Sequence, residues 1–288
     1  MLDWFVNPDH AAIIVAEQKG YFKKHGLDVE IIEPADPSLP PKLVAAGKVD
    51  MAVNYQPQHH MQVSEGLPLM RIGTLISTPL NTLIVLKDSG INDLKDLKGK
   101  TIGYSVNGFE ESLLTAMLDS AGLKPDDVKW VNVNWSLSPS LISKKVDAVY
   151  GGYRNFELNQ MAIEGHPGKA FYPEEHGIPA YDELILVINK AQINEKKYAA
   201  FLSAIEEATI YTLNHPDAAW KAFESYKPKE LDNELNRRAW KDTLPRLALR
   251  PRALDKHRYE AMSAFLEKYK MVKDMPALAN YAVELPVK

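Results

Sequence analysis

Cysteine is absent from all 288 residues. Disulfides, thiol catalysis, iron–sulfur clusters and the usual structural zinc sites are therefore excluded. No cysteine is present to carry a lipid anchor either. No apolar run approaches the roughly 20 residues needed to span a bilayer. No block of basic residues with interleaved aromatics occurs, and the net charge is −4 with acids and bases mixed along the chain; a nucleic-acid-binding surface has no support. The Gly-x-Ser-x-Gly elbow and the His-Glu-x-x-His zinc pattern are missing, and the loop Ser105-Val106-Asn107-Gly108 lacks the Gly-Lys-Ser/Thr ending of a P-loop. His59 and His60 are adjacent, so on a helix they point about 100° apart and do not form a joint metal site. No basic and apolar leader precedes Met1-Leu2-Asp3-Trp4-Phe5-Val6, which runs straight into a strand pattern. The expectation is either a cytoplasmic protein or an exported one whose signal has been removed.

What is present suits a globular α/β protein. Hydrophobic residues make up 45% and charged residues 25%, enough for a core and incompatible with global disorder. The length accommodates two lobes. Residues 2–6 predict a strand, 10–25 a helix with Ala11, Ile14, Val15, Gln18 and Phe22 at helical spacing, and Gly26 a helix stop. Leu27, Val29 and Ile31 alternate with Asp28 and Glu30, predicting a strand over 27–33. A short helix over 39–46 and a strand over 49–53 follow, ending in Asn54-Tyr55-Gln56-Pro57.

The same order returns: a helix over 112–121, a strand over 128–133, a short helix over 140–144 and a strand over 146–150. Gly26-Leu27 recurs as Gly122-Leu123 after 96 residues, and Val49-Asp50 as Val146-Asp147 after 97. Two landmarks at nearly one offset suggest a single αβαβ unit used twice. Extended segments over 81–86 and 181–189 predict two crossings between lobes, giving lobe one as 1–82 plus 187–288 and lobe two as 83–186. Two crossings make a hinge, and a hinge makes a cleft on which strand ends converge. After Asn189 the pattern is helical. Tyr198, Phe201, Leu202, Ile205, Thr209 and Leu213 form one stripe, and further helices are expected at about 217–225, 231–243 and 255–270. The basic tract 240–251 reads as a solvated surface.

The opening through Asn7-Pro8-Asp9-His10, then Gly20-Tyr21-Phe22-Lys23 and Gly26-Leu27-Asp28-Val29, resembles the NMT1/THI5-like proteins, as does Leu97-Lys98-Gly99-Lys100-Thr101-Ile102-Gly103-Tyr104. These are substrate-binding proteins of ABC importers related to the yeast thiamine-pyrimidine synthase. The glycine-aromatic core of the motif is shared with sulfonate, nitrate and taurine binders. Leu2-Asp3-Trp4 with Asn7, and Tyr153-x-Asn155-Phe156-Glu157, are closer to members that bind thiamine pyrimidine precursors. The resemblance implies a type II periplasmic binding protein fold and an extracytoplasmic monomer that hands its ligand to a membrane permease and ATPase. The synthase branch carries a cysteine-rich iron-binding motif, so a chain without cysteine is implied to bind rather than synthesise, and to need no cofactor.

A 4-aminopyrimidine offers flat faces, an amino donor and a ring-nitrogen acceptor, and calls for aromatic plates with a carboxylate or amide at the edge. The equivalent strand ends supply Asn54, Tyr55 and Gln56 in lobe one, and Tyr150, Tyr153, Asn155 and Glu157 in lobe two. Glu157 could accept the amino hydrogen; Asn155 and Glu157 could equally be a helix cap and its first-turn acid. Trp4, with Asn7 and His10 just beyond, reads as a stacking plate or as core. Ser105, Asn107 and Gly108 precede a helix whose free amides could receive a sulfonate, phosphate or formyl oxygen. Glu183 reads as an edge-strand acid exposed to water rather than a cleft residue. The alternatives are the same fold holding riboflavin, a sulfonate or nitrate, with Arg154 as the nearby cation, or a pyrimidine-synthesising enzyme. An enzyme using pyridoxal phosphate would need a lysine that these strand ends lack.

Overall fold

The computed structural model describes residues 1–287. In chain order its elements are α1 (Ala11–Gln18), α2 (Tyr21–Lys24), α3 (Pro40–Ala45), β1 (Met51–Asn54), α4 (Gln56–Ser64), β2 (Leu69–Ile76), β3 (Asn81–Leu86), β4 (Thr101–Tyr104), α5 (Phe109–Ser120), β5 (Lys129–Asn132), α6 (Leu137–Ile142), β6 (Ala148–Tyr153), α7 (Glu157–Ile163), β7 (Gly168–Phe171), β8 (Leu184–Asn189), α8 (Lys196–Asn214), α9 (Pro216–Glu224), α10 (Pro228–Leu231), α11 (Glu234–Thr243) and α12 (Lys256–Lys268). The chain divides into two compact units: residues 1–78, 181–264 and 272–288, and residues 79–180 with 265–271.

The first unit is built on a three-stranded sheet of order β1-β8-β2. β8 is antiparallel to both neighbours, with Ala52 opposite Val187 and Met70 opposite Ile188. Val44, Ala52, Leu69, Ile185 and Val187 cluster on it. The helix expected over 10–25 is interrupted: Gly20 adopts φ 71° and separates α1 from α2, a left-handed turn that glycine takes without steric cost. The stripe on α8 buries Tyr198, Leu202, Ile205 and Thr209, and Phe201 stacks on Phe22 with centroids 5.0 Å apart.

Two expected strands of this unit are not formed. Residues 2–6 bend rather than pair, and 27–33 carry no ladder. Met1 lies beside β1, with Val53 N donating to Met1 O at 3.0 Å, and Leu2 N donates to Ile32 O at 2.8 Å. Beyond that the Val6 amide turns to the Glu33 carboxylate, and a cavity of about 690 Å³ borders Leu27, Val29, Ile31, Val49 and Met51. The alternating pattern survives in the burial of residues 27–31, but no neighbouring backbone completes a ladder.

The second unit carries a five-stranded sheet of order β5-β4-β6-β3-β7. β4 is parallel to β5 and β6, and β3 is antiparallel to β6 and β7. Ile84, Leu86, Leu137, Leu141, Val146, Val149 and Met161 form its core. The sequence repeat is visible in the backbone. Gly26 and Gly122 end their helices at φ 73° and 75°. β1 and β6 each follow a short helix, and each pairs antiparallel with one of the two long extended segments, β8 and β3. Of the basic tract, Trp240, Leu247 and Ala248 are buried, so its apolar side packs inward rather than lying wholly in solvent.

Candidate functional site

In the first unit the polar residues at the start of the chain and at the end of β1 form one buried web. Asp3 is 3% exposed. Its Oδ1 lies 2.9 Å from His10 Nε2, and its Oδ2 accepts from the Tyr55 hydroxyl at 2.9 Å. His10 Nδ1 accepts the Asn7 amide at 3.3 Å, so the pattern assigns the ring proton to Nε2, facing Asp3. Pro8 starts a single 3₁₀ turn over Pro8–His10, capped by the Asn7 side chain, and this turn aims the imidazole back at residue 3. Asn7 also donates to Phe5 O at 3.2 Å. Asp9 accepts from Thr243 at 3.1 Å. Trp4 is half-buried, with its ring centroid 5.6 Å from that of Phe5.

Asn54 donates to Gln62 at 3.0 Å and accepts the Tyr55 amide at 2.9 Å, so both ends of its amide make internal bonds. Gln56, wholly buried at the start of α4, accepts the Asp182 amide at 2.8 Å. Among the described residues its Nε2 has no partner. Asp182 in turn accepts from Thr74 at 2.8 Å and from Arg258. Glu183 is 0% exposed, which corrects the expectation of a water-exposed edge acid: the segment around it runs through the interior, with Tyr181 and Leu184 fully buried. His59 and His60 also lie inside. His59 Nε2 faces Tyr281 O at 2.8 Å, and His60 faces the carbonyls of Gln56 and Tyr259. Burial pulls the His59 pKa down to about 3 and lowers that of His60. Among the described residues no cluster could hold a metal ion.

In the second unit the loop between β4 and α5 holds Ser105, Asn107 and Gly108. The amides of Ser105 and Val106 both donate to Glu110 Oε2, at 2.7 and 3.0 Å. Gly108 N donates to Glu111 at 2.5 Å. Ser105 Oγ donates to Asn134 O, and Asn107 accepts from Asn132 at 2.9 Å. At the end of β6, Tyr150 and Asn155 are buried and Tyr153 is half-buried. Glu157 opens α7, with Phe156 as the residue before it, and its Oε2 accepts the Tyr153 amide at 2.6 Å. The carboxylate thus closes the turn 153–157, as a first-turn acid does. Arg154 makes a two-point pair with Glu174 at 2.5 and 2.9 Å, its guanidinium 4.3 Å from the Tyr172 ring centroid. Its charge is matched within the unit.

The structure therefore joins His10 and Tyr55 through Asp3, and Tyr153 to Glu157. Asp3, Glu110 and Asp182 were not singled out from sequence. Asp3 did carry a signal, an acid between Leu2 and Trp4 in an otherwise apolar stretch. Glu110 gave none, because two successive acids at a helix start look like ordinary dipole complements.

Residues 7–219 match the NMT1/THI5-like family model. A Haemophilus influenzae protein named for thiamine biosynthesis is 62% identical over 99% of this chain and 91% of its own length. The formylaminopyrimidine-binding protein of Halalkalibacterium halodurans is 35% identical over 76% of this chain and 67% of its own. A 4-amino-5-hydroxymethyl-2-methylpyrimidine phosphate synthase of Saccharomyces cerevisiae is 33% identical over 82% of this chain and 72% of its own. Among solved structures, the alkanesulfonate-binding protein of Xanthomonas axonopodis superposes with a TM-score of 0.75 at 13% identity, covering 96% of this chain and 95% of that one; this likeness establishes a periplasmic binding protein fold. By the family match and by these relatives, the chain is a member of the NMT1/THI5-like family.

Proposed function

We propose that this protein is the extracytoplasmic substrate-binding component of an ABC importer and that its ligand is a thiamine pyrimidine precursor of the hydroxymethyl or formylamino type. The observation that carries the reading is the 35% identity, over three quarters of the chain, to a protein named for binding formylaminopyrimidine. The chemistry of the residues agrees with it. In the first unit Trp4 and Tyr55 supply rings and Gln56 an amide with hydrogen-bonding capacity to spare. In the second, Tyr153, Asn155 and Glu157 supply a ring, an amide and a carboxylate. His10 shares Asp3 with the Tyr55 hydroxyl and Asn54 accepts the Tyr55 amide, so both orient that ring, and Asn7 caps the turn that carries His10. Tyr150 lies deeper, with Ser105, Asn107 and Gly108 in the adjoining loop. A monomer that passes its ligand to a permease and ATPase completes the reading.

The protein acts without catalysis in this proposal. A yeast relative is a synthase, but this chain contains no cysteine and so lacks the cysteine-rich motif of that branch. Titration calorimetry with 4-amino-5-hydroxymethyl-2-methylpyrimidine and its formylaminomethyl analogue is expected to show one saturable site. No heat at millimolar ligand would overturn the pyrimidine assignment. Glu157→Gln is expected to weaken binding by roughly tenfold, the loss of one charge-assisted bond; unchanged affinity would leave Glu157 as a helix-start acid only.

A further inference from the structure

We infer that Glu110 is a resident anion: its carboxylate fills the amide pocket at the start of α5 and bars anionic groups from it, so the protein selects uncharged ligands. The claim rests on the assignment of a pyrimidine ligand, but the sulfate arm of its test does not.

The turn from β4 into α5 presents amides in the arrangement that receives phosphate or sulfonate groups in many proteins. Here three of those donors are taken. Ser105 N and Val106 N converge on one oxygen of Glu110 at 2.7 and 3.0 Å. The residue is 4% exposed, so the contact is an internal one and not a surface acid resting on a helix start. The neighbouring strand is shaped for it. A Cβ added to Gly151 would lie 2.3 Å from Glu110 Oε1, and Gly151 sits at φ 102°. Only glycine leaves room for the carboxylate there. Gly108 N is likewise taken, by Glu111. The one basic side chain nearby in sequence to the β6 end, Arg154, is matched by Glu174.

A phosphate or sulfonate entering this pocket would have to displace a buried carboxylate or sit beside it. At a few ångströms and an interior dielectric, that repulsion disfavours the anion on the order of a hundredfold or more. A hydroxymethyl or formylamino group meets no such penalty.

The test uses the intact protein with two variants and three probes: 4-amino-5-hydroxymethyl-2-methylpyrimidine, its monophosphate and inorganic sulfate. The wild type is expected to bind the neutral pyrimidine at least about a hundredfold more tightly than the monophosphate, and to show no saturable sulfate-dependent rise in Tm beyond that of chloride at equal ionic strength. Glu110→Gln keeps the shape and removes the charge, and is expected to narrow that ratio by about tenfold or more. Glu110→Ala opens the pocket and is expected to gain a saturable sulfate-dependent rise in Tm at low millimolar sulfate, beyond the chloride control. A wild type that binds both pyrimidines within a few-fold overturns the inference. So do folded variants whose ratio and sulfate response match the wild type. If the wild type binds no pyrimidine at all, the ligand assignment falls, and the sulfate response of the two variants alone decides the role of Glu110. If the alanine variant does not fold, the glutamine variant decides it.

Discussion

The hydroxyl of Tyr55 donates to Asp3 Oδ2 at 2.9 Å across 52 residues of chain, with both side chains buried. The same carboxylate faces His10, so one acid near the start of the chain fixes the orientation of a ring at the end of β1 and of an imidazole at the start of α1.

This relationship sets the first prediction. Asp3→Ala removes the acceptor of two buried donors and is expected to destabilise the protein by about 3 kcal/mol. Tyr55→Phe removes one bond and is expected to cost about 1 kcal/mol. In the double variant the two losses should not add, because both remove the same contact. Urea unfolding of the four proteins measures this; additive losses would show that the contact contributes nothing of its own.

A second prediction concerns acid. His59 is fully buried and its folded pKa of about 3 lies well below the 6.5 of an exposed histidine. Above pH 6.5 the ring is neutral in both states and costs nothing. As pH falls from 6.5 towards 3, the unfolded chain takes up a proton that the folded chain refuses, and stability declines by up to about 1.4 kcal/mol per pH unit. His60, also lowered, acts in the same direction. Urea midpoints at pH 7 and pH 5 should differ accordingly, and a folded His59→Gln variant should show a shallower slope. Equal slopes would refute the assignment to His59.

Arg71 supplies the third. It is fully buried and bonds to Thr74 at 2.7 Å and to the carbonyls of Arg252, Ala253 and Val283 at 3.2, 2.5 and 3.2 Å. Arg71→Met keeps volume but leaves three carbonyls, that of Arg252 buried and those of Ala253 and Val283 partly buried, without that donor. The expected loss is about 3 kcal/mol or more. Early proteolysis should move to the segments around residues 253 and 283; cleavage that starts elsewhere would argue against this role.

Gly151→Ala tests packing in the second unit. The added methyl meets the Glu110 carboxylate, and φ 102° is a conformation that alanine rarely adopts. A destabilisation of about 2–4 kcal/mol is expected from strain and clash together. A thermal melt within a degree of the wild type would contradict the geometry.

Much of the architecture was legible from residue spacing. The 96- and 97-residue offsets marked β1 and β6 as counterparts, and the two glycines of the repeat do adopt matching left-handed turns. The stripe on α8 was read from local periodicity, which depends only on which side chains recur on one face, and β3 and β8 from two apolar extended segments. Residues 2–6 had an apolar strand pattern and 27–33 an alternating one, but a ladder needs a neighbour at the right distance, and pattern alone does not supply one.

The sequence by itself determined the α/β class, the repeat, the family and the absence of thiol chemistry, because each follows from residue identity and spacing along the chain. Only the tertiary structure decided which polar groups meet. It brought Asp3 to Tyr55 and His10, turned Glu183 inward, and placed Glu110 in the amides before α5. Hydrogen-bond partners far apart in sequence are selected by how elements pack and by the cost of leaving a buried donor or acceptor unmatched. Neither is written in local spacing.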